Sequence, residues 1–185
     1  EMVLYINSCV RAESRTDRIA RALLEKICGS NAELKELKLC EMGLQPLSED
    51  ALKHRTELIE SGQLDAPEFE LARQFAEAEV VVISAPYWDL SFPALLKTYF
   101  ENIYITGIVS EYDENGIPHG LCRGGKLYYV TTAGGPYDPR YSYEYVKTMA
   151  TEYFGIREVE LIKAEMLDVQ GFDAEAIVSE VIAKL

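Results

Sequence analysis

The sequence predicts an α/β fold, a doubly wound five-stranded parallel sheet with helices on both faces, on three observations. Short, nearly continuous apolar runs rich in β-branched and aromatic residues recur, as in strands buried on both faces. Stretches with apolar residues at helical spacing separate them. The two patterns alternate along the chain, which is the signature of successive βαβ units.

The first strand is "MVLYI" (2–6), followed by a helix with Ile19, Ala20, Leu23, Leu24 and Ile27 on one stripe. "LKELKL" (34–39) is more polar and alternates at its end, as an edge strand would. Residues 48–62 and 67–78 read as helices, with "SGQLDAP" as the break between them. "VVVI" (80–83) is the third strand; the next helix carries Leu95, Leu96, Tyr99, Phe100 and Ile103 on one face, with Ser91 as its expected cap and Pro93 in its first turn. "EYDENGIPHG" (111–120) interrupts the alternation around an Asn115-Gly116 turn and predicts an inserted hairpin or lid loop. "LYYV" (127–130) and "VELI" (159–162) complete the sheet. The last helix presents Ala174, Ile177, Val178, Val181, Ile182 and Leu185 behind an Asp173 cap. With no repeat or low-complexity linker, residues 1–185 are expected to form one domain.

Composition narrows the function. The apolar fraction of 48% and charged fraction of 26% are those of an ordinary globular protein. Eighteen basic against 31 acidic residues give 18 − 31 = −13, which disfavours nucleic acid and anionic membranes as partners. Any bound anion must be held locally, by backbone N–H groups or a helix N-terminus. Cys9, Cys28, Cys40 and Cys122 show neither CxxC nor metal-ligand spacing, so no metal site is expected. No apolar run reaches the roughly 18–20 residues of a membrane span and no leader profile opens the chain, so a reducing, cytoplasmic setting is expected.

In such sheets ligands bind beyond the carboxyl ends of the strands, and three of those connections carry unusual chemistry. After the first strand, "NSCVRAESRTDRIA" (7–20) lacks GxGxxG and the P-loop but offers Ser8, then Ser14, Arg15 and Thr16 where a helix opens, a set suited to a phosphate. Ser14 and Asp17 also match a capping box, which needs no ligand, and Cys9 reads as a packing residue. After the third strand, "APYWDLSFP" places Tyr87 and Trp88, the only tryptophan, where a flat ring could rest; core or dimer contacts are the alternative. After "LYYV", "TTAGGPYDP" (131–139) brings two glycines that let backbone N–H groups approach a ligand, or else form a plain turn, with Tyr137 just beyond as a phenolic donor. Together these loops offer a phosphate cradle, an aromatic platform and a glycine-rich rim. That combination suits flavin mononucleotide (FMN).

"APYWDLSFPALLKTYFE", "YDENGIPHGLCRGGKLYYV" and "TTAGGPY", in this order and spacing, resemble the flavodoxin-like FMN-dependent NADH:azoreductase and NAD(P)H:quinone oxidoreductase family over most of the chain. The resemblance implies a flavodoxin-like fold. It implies that Ser8, Ser14, Arg15 and Thr16 hold the FMN phosphate, that Pro86, Tyr87, Trp88 and Asp89 line the isoalloxazine, and that Thr132, Ala133, Gly134 and Gly135 edge its pyrimidine side. It further implies a homodimer and a ping-pong cycle in which NADH or NADPH and then a quinone or azo compound use the same space. The helix at 94–104 and "YSYEY" (141–145) are candidate dimer surfaces or core. The chain departs from the family pattern in two respects: Ala133 stands where an arginine is frequent, and Pro136 and Tyr137 stand where a histidine shortly after the glycines is. They bear on substrate preference and on a proton-donor role for Tyr137. Backbone N–H groups of Gly134 and Gly135 would stabilise charge developing on the cofactor without acid, base or metal. His54 is expected in solvent, and His119 near a neighbouring active site at most. The alternative is a flavodoxin-type electron carrier with the same cofactor; a receiver-like domain would need acids at the end of the first strand, where Asn7 and Ser8 stand.

Overall fold

The computed structural model describes residues 1–185. Its strands are β1 (Met2–Asn7), β2 (Glu33–Lys38), β3 (Val80–Ser84), β4 (Ser110–Tyr112), β5 (Pro118–Gly120), β6 (Lys126–Thr132) and β7 (Glu158–Ala164). The helices are α1 (Arg15–Ile27), α2 (Glu49–Glu60), α3 (Glu70–Glu77), α4 (Ala94–Ile103), α5 (Tyr143–Thr148) and α6 (Ala174–Ala183). Five strands pair in parallel in the order β2-β1-β3-β6-β7, while β4 and β5 form a separate antiparallel hairpin. This is the doubly wound, flavodoxin-like order, and its switch point lies between β1 and β3, because the chain leaves β1 in one direction and returns on the other side.

Alternate strand residues feed two separate cores, which is what a sheet with period-two side chains and helices on both faces requires. Leu4, Ile6, Val81, Ile83, Leu127 and Tyr129 pack against Phe75 of α3 and Leu96, Tyr99 and Phe100 of α4. Val3, Tyr5, Val82 and Val130 face Ile19, Ala20, Leu23 and Leu24 of α1 and Val178 of α6. The polar "LKELKL" run is an edge strand as its alternation predicts, and β7 is the other edge, only half covered.

Three local expectations are corrected. Ser91 does not cap α4: Pro93 occupies the cap position, and the Ser91 hydroxyl donates to the Tyr141 carbonyl at 2.7 Å. The Ser14–Asp17 capping box is half made. Ser14 Oγ accepts from the Asp17 N–H at 3.1 Å, but the Asp17 carboxylate turns inward to Tyr5 and Arg21. The segment at 67–78 divides into a single tight turn, Pro67–Phe69, and the shorter α3. Asp173 caps α6 as predicted, accepting from the Ala176 N–H at 3.1 Å.

The hairpin β4-β5 lies against a wider π-turn, Met149–Phe154, that follows α5. Gly120 and Gly155 meet there backbone to backbone, and Gly155 takes φ 79° to end the turn. His119 pairs with Asp113 within the hairpin at 3.0 Å, and His54 pairs with Glu68 at 2.6 Å, both exposed. No helix is long and apolar enough to cross a membrane.

Candidate functional site

The carboxyl ends of β1, β3 and β6 meet at the switch point, and a buried polar network ties them together. Ser8 donates twice to the Ser84 carbonyl, from N–H at 3.0 Å and from its hydroxyl at 2.7 Å. Tyr5, fully buried, donates to Asp17 Oδ1 at 2.6 Å and its oxygen lies 2.7 Å from Ser84 Oγ. Burial and the Asp17 carboxylate hold its phenol above the ordinary range. Asn7 Oδ1 accepts from the Cys9 N–H at 2.9 Å, and Arg21 joins Asp17 to Glu36. Asp17 is therefore occupied by internal donors and does not face an anion at the start of α1. Burial pushes the Cys9 thiol up, in keeping with a packing role.

Above this network the loop from Val10 opens toward solvent. The backbone N–H groups from Val10 through Thr16 donate to no acceptor in the chain. Only the last of these are the orphan donors every helix start leaves; the earlier ones belong to the loop that leads into the positive end of α1. Thr16 is buried and its hydroxyl lies 2.7 Å from that of Thr132, which links the first loop to the end of β6.

The third loop is held by its carbonyls. Met166, Leu167 and Asp168, just past β7, donate N–H bonds to the carbonyls of Gly135, Ala133 and Gly134 at 3.0, 3.2 and 2.9 Å. The N–H groups of Gly134 and Gly135 have no partner in the chain, whereas that of Ala133 is spent on Ala164. The free N–H of Gly134 thus borders the cleft, with that of Gly135 next to it in the chain.

Between them lies the aromatic segment. Trp88 is 41% and Leu90 56% exposed, and Tyr87 sits edge-on to Tyr137 with ring centroids 4.8 Å apart. Asp89 and Leu90 have φ of 50° and 69°, a two-residue reversal closed by Trp88 and Ser91, each donating to the other at 3.1 and 2.8 Å. Such a turn favours Asn-Gly; a leucine there costs on the order of 1 kcal/mol. Leu90→Gly is expected to stabilise the fold by up to about 0.5 kcal/mol in urea denaturation, net of the entropy glycine adds to the unfolded chain. An unchanged or lowered midpoint would show that Leu90 makes compensating contacts.

These elements enclose a cleft of about 170 Å³ lined by residues that include Ser14, Arg15, Thr16, Pro86, Tyr87, Trp88, Thr132 and Gly134, all named by the sequence. Ser8, Asp89, Ala133, Gly135 and Tyr137 stand outside the lining: Ser8 is buried below it, Ala133 is buried in β6's continuation, and the Tyr137 hydroxyl lies 2.7 Å from Ser142 Oγ. Burial raises the Tyr137 phenol above its usual value. Val10, Arg11, Glu13 and Asp168 also line the cleft and were not among the sequence candidates. Asp168 follows the last strand's carboxyl end, the same position rule that singled out the other loops, so its place was available to the sequence reading. The donor set fits a phosphomonoester, and the exposed Trp88 with the two glycine N–H groups fits a flat polar heteroaromatic.

A family model described as "flavodoxin-like fold" matches residues 1–185. The chain is 38% identical to an FMN-dependent NADH:quinone oxidoreductase 2 of Clostridium acetobutylicum, over 98% of this chain and 94% of that protein. It is 37% identical to an FMN-dependent NADH:quinone oxidoreductase of Coprothermobacter proteolyticus, over 96% and 92%. The crystal structure of an azoreductase from Bacillus anthracis superposes with a TM-score of 0.86 at 24% identity, over 99% and 95% of the two chains, a likeness of fold. The chain therefore belongs to the flavodoxin-like family, and within it to the FMN-dependent NADH:quinone oxidoreductases.

Proposed function

We propose that the protein is an FMN-dependent oxidoreductase that takes electrons from NADH and delivers them to quinones, with azo compounds as further acceptors, and that residues 1–185 act as one domain. The observation that carries this reading is the run of free N–H groups from Val10 through Thr16, most of whose residues line one cleft together with Gly134, whose N–H is also free. A chain of net charge −13 would hold a phosphate only with such local donors.

Ser14, Arg15 and Thr16 with the loop N–H groups would hold the phosphate, with Ser8 fixing the loop from below. Pro86, Tyr87, Trp88 and Asp89 would carry the ring, and Thr132, Ala133, Gly134 and Gly135 would edge its polar side. Bound FMN would supply the two-electron chemistry between nicotinamide and acceptor. The protein's part is to orient the two substrates in turn over one exposed face and to present N–H dipoles where negative charge develops. A single shared face makes the order ping-pong.

The enclosed volume of about 170 Å³ is below the roughly 300 Å³ at which small-molecule pockets begin, so much of the cofactor would lie at the open rim. A second subunit covering exposed Trp88, Leu90 and Tyr141 would complete the pocket, which supports a homodimer. The free cysteines and acidic surface suit the cytoplasm.

For Tyr137 the geometry supports the orientation of Tyr87 more directly than proton donation, since its hydroxyl engages Ser142. Tyr137→Phe is expected to retain turnover within about threefold; a loss of about 100-fold confined to the acceptor half-reaction would instead assign it the proton.

The test of the function is anaerobic. NADH added to the flavin-loaded protein should bleach the flavin absorbance within seconds, and a benzoquinone added next should restore it, with parallel double-reciprocal plots at steady state. A flavin that stays oxidised under NADH would identify an electron carrier.

A further inference from the structure

Across the mouth of the cleft the Arg15 guanidinium is held by a carboxylate: its Nη2 lies 3.1 Å from Asp168 Oδ1. Arg15 opens α1 and Asp168 follows β7, so the pair joins two separate segments that both line the cleft. Asp168 is held in place by its N–H bond to the Gly134 carbonyl and by the flanking bonds from Met166 and Leu167. Its Oδ2 stands where a Cβ on residue 134 would collide, so the glycine at 134 leaves room for this carboxylate as well as exposing its own N–H.

Resting on the FMN reading above, we propose that Asp168 is a specificity-determining residue: an internal anion that a phosphomonoester must displace from Arg15 in order to bind. A guanidinium offers one fixed fork of donors, and a carboxylate and a phosphate compete for it. The Asp168 side chain is 68% exposed, so the released carboxylate returns to water at little cost, and so exposed a pair is itself weak. The exchange is therefore close to balanced. Asp168 loosens the grip on the phosphate and leaves the grip on the ring untouched.

FMN and riboflavin, which share the ring and differ in the phosphate, separate these effects when titrated into the apoprotein by flavin fluorescence. Asp168→Asn should bind FMN roughly two- to fivefold more tightly and riboflavin unchanged. In an Arg15→Gln background the same substitution should have no effect on FMN. Equal tightening of both flavins, weaker FMN binding, or an undiminished effect in the Arg15→Gln background would each overturn the proposal, the last by showing plain charge repulsion without Arg15. If wild-type protein binds riboflavin and FMN alike, or neither, the phosphate reading falls and the proposal with it; FMN preference that ignores Asp168 overturns the proposal alone.

Discussion

Gly120→Ala is expected to destabilise the protein by about 3 kcal/mol or more in urea denaturation, since of all the glycines it is the one where an added Cβ would come nearest to backbone. The added Cβ would overlap the backbone of Phe154 and Gly155, and neither can yield as a side-chain tip can. Gly155 is itself fixed: its φ of 79° ends the π-turn, a Cβ built on it would stand 3.0 Å from Gly120 Cα, and the Phe154 carbonyl accepts from the Cys122 N–H. The methyl group can be relieved only by lifting the β4-β5 hairpin from the π-turn. Limited proteolysis should then cut within residues 112–118, the largely exposed turn of the released hairpin. A loss below about 0.5 kcal/mol with no new cleavage would mean that the two backbones can separate freely.

Arg15→Glu is expected to weaken FMN binding about 100-fold or more without weakening the fold. The charge-assisted bond to phosphate is lost, worth about 1.5–3 kcal/mol, and a new carboxylate joins Glu13 and Asp168 in the cleft. Arg15 is also the first residue of α1, where a negative side chain suits the helix dipole better than a positive one. Thermal stability should therefore hold or rise slightly while affinity collapses. Equal losses of stability and affinity would indicate that Arg15 serves the fold through Asp168 and not the ligand.

The architecture was legible because both periodicities were strong. "VVVI" and "LYYV" are buried on both sides, and the α1 and α4 stripes pack as their spacing requires. Boundaries set by competing polar bonds were less legible. Ser91 resembles a cap by type and position, yet the Tyr141 carbonyl, fifty residues away in sequence, claims its hydroxyl. Asp17 completes a capping box on paper, yet Tyr5, buried twelve residues earlier, draws it inward. In the cleft the residues that present backbone were the easiest to place, since glycines and a helix start advertise free N–H groups. Asp168 lay where the strand-end rule points, but its partners did not: only the fold shows that the segment after β7 reaches both the Gly134 carbonyl and Arg15.

The most direct test is a titration of the purified, flavin-free protein with FMN, followed by quenching of flavin fluorescence. Saturable binding at one flavin per chain, weakened by the loss of the phosphate in riboflavin, is what the open N–H groups of Val10 through Thr16 predict. Fluorescence that stays unquenched at saturating protein, or that responds identically to the two flavins, would contradict it.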